Sequence, residues 1–154
     1  MRPSKDEYYL NIAEAVLARS TCLRRKYGAV IVKDDQIIAT GYNGSPRGAK
    51  NCCDVGYCER ETQGIPHGER YELCRSTHAE ANAIISASRR NMIGATLYLA
   101  GQEADGTSIT DAKPCYMCYR LIINAGITTI VTRSADGVLS KKDVKPYEQY
   151  SLHT

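Results

Sequence analysis

Tryptophan and phenylalanine are both absent from this 154-residue chain, so tyrosine carries all of its aromatic content. No secretory leader is expected, because the N-terminus has no uninterrupted apolar run. No stretch approaches the ~20 consecutive apolar residues that a bilayer-spanning helix needs. These absences predict a soluble, cytoplasmic protein with no membrane partner. Net charge is also scarce. A balance of +3 is too small to argue for nucleic acid as a polymeric partner, although it suits a small anionic ligand. With 43% hydrophobic residues the length is enough to bury a core, and one domain over 1–154 is expected. The excess lies in the seven cysteines. An odd number cannot all pair within one chain, and in a reducing compartment cysteines point to metal or thiol chemistry before disulfides.

The periodicity reads as an α/β chain. Ser4 and Glu7 are spaced as a capping box ahead of the mostly apolar stripe Tyr8, Ile12, Ala15, Val16, which predicts an amphipathic first helix. Gly28–Val32 and Ile37–Gly41 are β-branched runs around Lys33-Asp34-Asp35-Gln36, a hairpin pattern. From Tyr42 to Thr77 the pattern dissolves into Gly, Pro, Cys and charge, and an irregular stretch of that length is usually functional or pinned. His78–Arg90 reads as helix, Ala95–Ala100 as strand, Pro114–Ala125 as helix ending at Gly126, and Ile127–Thr132 as strand. A strand, helix, strand unit implies parallel pairing, hence a mixed sheet with helices packed on it. The tail after Asp136 is polar and carries no assignment.

Two motifs carry chemistry. His78-Ala79-Glu80 opens one predicted helix, and Pro114-Cys115-Tyr116-Met117-Cys118 opens another. One His and two thiolates make a tetrahedral zinc site with its fourth position open, the arrangement of a catalytic rather than a closed structural ion. Helix N-termini and the dication both favour the thiolate forms. Such a centre brings the pKa of a water down towards ~7. Glu80 then stands as an unligated general acid and base. H-x-E followed by P-C-x-x-C resembles the signature of the zinc nucleobase deaminases. Taken separately the motifs have plainer readings. Thr77 and Glu80 are spaced as a capping box, Pro114 is a common first helical residue, and C-x-x-C also occurs in structural zinc and redox sites.

Beyond that signature, Gly28–Val32, the GYNGSP segment Gly41–Pro46, Asn51-Cys52-Cys53-Asp54 and the extension His78–Ile84 resemble the deoxycytidylate (dCMP) deaminases, from about Cys22 to Thr132. The resemblance implies a three-layer cytidine-deaminase-like fold with a mixed five-stranded sheet flanked by helices. It implies hydrolysis of dCMP to dUMP and ammonia, supplying dUMP for dTMP synthesis. It also implies a homohexamer in many members, with dCTP as activator and dTTP as inhibitor, and Mg2+ accompanying a triphosphate effector. Relatives acting on cytidine or other nucleobases, and a competence-type zinc-binding relative without catalysis, are the alternatives.

For the substrate, Asn43 matches the position expected near the deoxyribose, with a turn residue as its other reading. Arg24 matches the phosphate contact of bacterial relatives, with Arg25, Lys26 and Arg47 nearby and a solvated surface Arg as the ordinary alternative. Ser45 belongs to the same loop. Tyr116 and Tyr119 flank the second thiolate and would close over the ring or phosphate, or else pack in the core. A second, structural zinc held by Cys22 and Cys52 is implied by likeness to phage and bacterial members, completed here by His67 and Cys74. Ser76 stands where the phage pattern has a ligating Glu, and Cys53 or Cys58 are substitutes for the fourth ligand. Free buried thiols are the plain alternative.

Overall fold

The computed structural model describes residues 1–109 and 112–150. Its framework is one five-stranded sheet in the order β2-β1-β3-β4-β5, formed by Arg25–Lys33 (β1), Gln36–Tyr42 (β2), Thr96–Glu103 (β3), Thr129–Arg133 (β4) and Leu139–Asp143 (β5). The β3–β4 pair is parallel and the other pairs are antiparallel. The sheet is therefore mixed and five-stranded, as expected. The β1–β2 hairpin closes through Asp34 and Asp35, both at positive φ, with Lys33 opposite Gln36. Two consecutive residues of that conformation match the right-handed twist of the flanking strands.

Alternation along the central strands divides the core into two layers. Val30 and Val32 of β1 and Tyr98 and Ala100 of β3 face one side, where Leu10, Ala13 and Leu17 of helix α1 (Lys5–Leu17) cover them. Ala29, Ile31, Leu97 and Leu99 face the other side. There they meet α4 (Ala79–Ile85) through Ala79 and Ala83, and α6 (Tyr116–Ala125) through Ile122 and Ala125. Strands buried on both faces must be apolar at every position, which is why β1 and β3 read as continuous runs. Each fully buried Leu or Ile contributes about 1.5–3 kcal/mol.

Two glycines set how closely the helices approach the sheet. A Cβ on Gly28 would lie 2.2 Å from the Ala13 carbonyl, and one on Gly41 would lie 2.4 Å from the Ala83 amide and 2.5 Å from the Ala79 carbonyl. The obstacles are helix backbone, so neither position admits a side chain without moving a layer.

Three expectations change. The helix predicted to run from His78 to Arg90 ends at Ile85, and a separate α5 (Arg89–Met92) follows. Serines cause the break: Ser86 Oγ donates back to the Asn82 carbonyl at 3.0 Å, and Ser88 Oγ caps α5 by accepting from the Asn91 amide. Both are local bonds that compete with a continuous helix. The irregular stretch after Tyr42 contains two one-turn helices, α2 (Cys52–Val55) and α3 (Glu59–Thr62), and a 3-10 turn at Tyr71–Leu73. The polar tail supplies β5, which lies at the sheet edge with Lys141 and Lys142 exposed. Charged edge strands lack the apolar alternation that periodicity detects. The last four residues, 151–154, lie outside the described ones.

Replacing Gly41 by Ala is expected to destabilise the fold by about 1–3 kcal/mol, the range for overpacking a tight contact. The measurement is a denaturant melt of wild type and variant, and an unchanged midpoint would refute the tight approach of α4 to β2.

Candidate functional site

His78 and Cys115 each occupy the N-cap position of a helix, His78 before α4 and Cys115 before α6. Each opens its helix ladder by its carbonyl alone, His78 accepting from the Asn82 amide and Cys115 from the Tyr119 amide, so both side chains project from where a helix begins. Cys118 lies one turn into α6, on the same face as Cys115. The result is a compact donor set. His78 Nδ1 lies 3.4 Å from Cys115 Sγ and 3.4 Å from Cys118 Sγ, and the three donor atoms are all within 4.8 Å of one another. Tetrahedral zinc with Zn–N near ~2.0 Å and Zn–S near ~2.3 Å separates N and S by roughly 3.6 Å. The donors are thus spaced for that ion, and among the described residues they form the one His, Cys and carboxylate group that meets this closeness.

Glu80 is 4% exposed. The capping-box reading of Thr77 and Glu80 fails, because the Thr77 amide donates instead to the Gly44 carbonyl at 2.7 Å. That bond and its reciprocal, from the Gly44 amide to the Thr77 carbonyl, fasten the GYNGSP segment beside the metal ligand. Asn82 reinforces the join by donating to the Tyr42 carbonyl at 2.8 Å. Burial lifts the Glu80 carboxyl well above the usual carboxylate range, with the His78 imidazole opposing. The thiols are split: Cys118, donating to Cys115, holds the Cys115 thiol far below its ordinary value, and His78 adds to the effect. Cys118 itself moves up, through that same bond and through burial. Burial acts to lower His78, but the hydrogen bond and charge of Cys115 outweigh it and the imidazole is raised. These opposed directions favour a proton on Cys118 and a thiolate at Cys115.

The centre opens into a cavity of about 520 Å3 whose lining includes His78, Glu80 and Cys115. Arg24, Arg25, Asn43, Cys22, Cys52, His67 and Cys74 line it as well. Arg24 pairs through Nε with Glu61 at 3.3 Å, while its Nη1 is buried without a hydrogen-bond partner. Asn43 is buried and largely committed: Oδ1 accepts from the Tyr27 amide at 2.9 Å and the Ser20 hydroxyl at 2.5 Å, and Nδ2 donates to the Arg25 carbonyl at 2.9 Å. One of its N–H groups remains for a ligand. Ser45 does not line the cavity, and its Oγ is buried without a partner.

Tyr116 and Tyr119 require correction as substrate contacts. Neither lines the cavity. Tyr119 is buried against the tail, stacked on Tyr150, and Tyr116 faces Tyr147 and Tyr150. Both tyrosines share the helix face that meets the tail, turned away from the ligand beside which each stands in sequence.

The second thiol group surrounds the same cavity without converging. Cys52 Sγ is 3.9 Å from Ser76 Oγ, and His67 Nε2 is 3.1 Å from a guanidinium nitrogen of Arg25. Burial first, then the Arg25 charge, lowers His67 and so favours its neutral form. The arginine that organises this loop escaped sequence reading. Arg60 is 5% exposed, donates to the Glu69 and Pro66 carbonyls, and lies 4.5 Å over the ring of Tyr71. Tyr71 in turn stands edge-on to His78, with ring centroids 4.8 Å apart. A lone Arg amid charged residues gives no sequence signal for such a role.

Zinc uptake is expected to release protons, because binding needs a thiolate at Cys118, whose thiol is pushed up, and a neutral imidazole at His78, which is raised. Because protons leave, apparent zinc affinity should rise at least about tenfold per pH unit near neutrality. Calorimetry in buffers of different ionisation enthalpy measures the release. A pH-independent affinity would contradict the protonation pattern.

Comparison with known proteins agrees with this geometry. A family model described as the cytidine and deoxycytidylate deaminase zinc-binding region matches residues 3–134. A deoxycytidylate deaminase of Mycobacterium phage D29 is 42% identical over 135 residues, covering 84% of this chain and 94% of that protein. The deoxycytidylate deaminase of Schizosaccharomyces pombe is 37% identical over 131 residues, covering 84% of this chain and only 37% of the longer yeast protein. Among solved structures, the dCMP deaminase of cyanophage S-TIM5 in complex with dCMP and dUMP is 29% identical, with a TM-score of 0.59 over 86% of this chain and 83% of that one. On its fold, its His and Cys donor set and these matches, the chain belongs to the cytidine and deoxycytidylate deaminase family.

Proposed function

We propose that this chain is a single-domain, zinc-dependent enzyme that hydrolyses dCMP to dUMP and ammonia. The observation that carries the reading is a buried carboxyl, Glu80, beside a zinc-spaced His and Cys triad, opening on a cavity that also holds an unpartnered guanidinium nitrogen of Arg24. The cyanophage relative bound to dCMP and dUMP supports the choice of base and phosphate.

His78, Cys115 and Cys118 would hold the zinc, which would supply Lewis acidity to activate water at neutral pH. Glu80 takes the proton of the attacking water and delivers it to ring nitrogen N3 as the C4–O bond forms. It then carries a proton from the new hydroxyl to the amino group, the C4–N bond breaks, and ammonia leaves with the keto base as product. Dry surroundings suit this task, because a carboxyl with a raised pKa gives up a proton as readily as it takes one. Arg24 offers its free N–H to the phosphate, and the remaining Asn43 N–H faces the sugar hydroxyl.

Glu80→Gln should retain zinc and lose turnover by at least about 10²-fold, the minimum worth of general acid–base catalysis. The assay is loss of cytosine absorbance with dCMP, cytidine and dCTP in parallel, with wild type preferring dCMP. Near wild-type ammonia release by the Gln variant would refute the role of Glu80, and a preference for cytidine would redirect the substrate.

Around this core, the finer attributes belong to the same proposal: cytoplasmic location, a homohexamer, and dCTP and dTTP as effectors with Mg2+. A structural zinc drawn together by Cys22, Cys52, His67 and Cys74 is the most directly testable. Its assembly needs side-chain movement, including release of His67 from Arg25. Elemental analysis of protein purified without chelators should find a second equivalent of zinc per chain, and one equivalent would sink that ion.

A further inference from the structure

Four tyrosines from two parts of the chain meet beside the zinc-ligand turn. Tyr116 and Tyr119 come from the first turn of α6, and Tyr147 and Tyr150 from the tail after β5. The Tyr119 and Tyr150 rings are stacked, with centroids 3.7 Å apart and planes 4° from parallel. Tyr116 stands edge-on to Tyr150, at 5.6 Å and 85°, and edge-on to Tyr147, at 6.1 Å and 73°. Such aromatic pairs contribute about 0.5–1.5 kcal/mol beyond the area they bury. Polar bonds lock the assembly: the Lys145 amide donates to Tyr119 Oη at 2.6 Å, and Tyr150 Oη donates to the carbonyl of Pro114.

That last bond reaches the residue before a metal ligand. Pro114 is buried and has no N–H, so its carbonyl is the one backbone polar group through which the chain can be held at that point. It also lies upstream of the α6 ladder, in which the Cys115 carbonyl accepts from the Tyr119 amide at 2.8 Å. The residues leading into Cys115 belong to neither helix nor strand. On its helix side Cys115 is held by its N-cap bond, Sγ accepting from the Cys118 amide at 3.5 Å, and the Tyr150 bond to Pro114 holds the chain on the other side.

We propose that residues 145–150 form a clasp on the Cys115–Cys118 turn. Tyr150 is then a positioning residue for the metal centre, acting through the Pro114 carbonyl without touching metal or substrate. This rests on the reading that His78, Cys115 and Cys118 hold zinc. Donor sets bind tightly when supporting bonds fix their orientation, and losing such a supporting group typically costs 10–100-fold in metal affinity. The sequence shows why the tail looks uninformative: its contribution is two tyrosines in a charged segment, with no periodicity to mark them.

The test is zinc transfer from zinc-loaded protein to an excess of a chromophoric chelator, for wild type, Tyr150→Phe and Tyr147→Phe. Each variant loses one hydroxyl and keeps its ring, so the stack survives, and melting temperature and the near-ultraviolet tyrosine dichroism verify this. Tyr150→Phe should release zinc roughly tenfold faster, at the lower end of that range, while Tyr147→Phe, whose ring meets only the rim of Tyr116, should match wild type. Wild-type release by Tyr150→Phe overturns the clasp. So does acceleration shared equally by Tyr147→Phe and tracking a lower melting temperature, which is general destabilisation. Wild-type protein that takes up no zinc would instead remove the metal reading, and the clasp with it.

Discussion

The approach of α4 to β2 across Gly41 is the contact on which the rest depends. Helix backbone lies where a side chain would otherwise be, so α4 sits against the sheet with its N-terminus fixed in place. His78 caps that helix and Glu80 lies in its first turn. The opposite ligands start α6, whose apolar side shares the same core layer through Ile122 and Ala125. Two helix beginnings thus converge because both helices lie on one face of one sheet. The donors come to zinc spacing where those two helix beginnings meet.

Electrostatics complete what packing begins. The carboxyl is buried where it tends to stay neutral, and the thiols beside it share one proton unequally. The lowered Cys115 thiol favours cation binding, while the raised Cys118 thiol ties that binding to loss of a proton. Around the rim the balance is reversed, with Arg24 and Arg25 facing the same cavity and Arg60 holding its wall. A small anion is therefore drawn towards the arginines while the chemistry is confined to the acidic end.

How much of this was legible in the sequence follows from which forces leave a periodic trace. β1, β2, β3, β4 and the ends of α6 were readable because burial on one or two faces demands apolar residues at fixed spacing. The donor set was readable because metal chemistry restricts residue type. Both β5 and the tail tyrosines escaped, since an edge strand of Leu139–Asp143 is almost wholly polar and a stack between Tyr119 and Tyr150 has no spacing rule. The break at Ser86 was hidden by the apolar pattern running through it. Asn43 and Arg60 show a third limit: their partners are backbone carbonyls and amides, which no side-chain pattern encodes.

The long excursion between β2 and α4 has a consequence for descent. It carries no ligand of the His78, Cys115 and Cys118 set, yet supplies much of the cavity wall, and it is tied back at its two ends by the Gly44 and Thr77 bonds. Residues between those ties shape the cavity wall, and Tyr71 among them meets the centre edge-on at His78. A lineage built this way can alter what the cavity admits by rewriting a single stretch of gene, provided that one ring is kept.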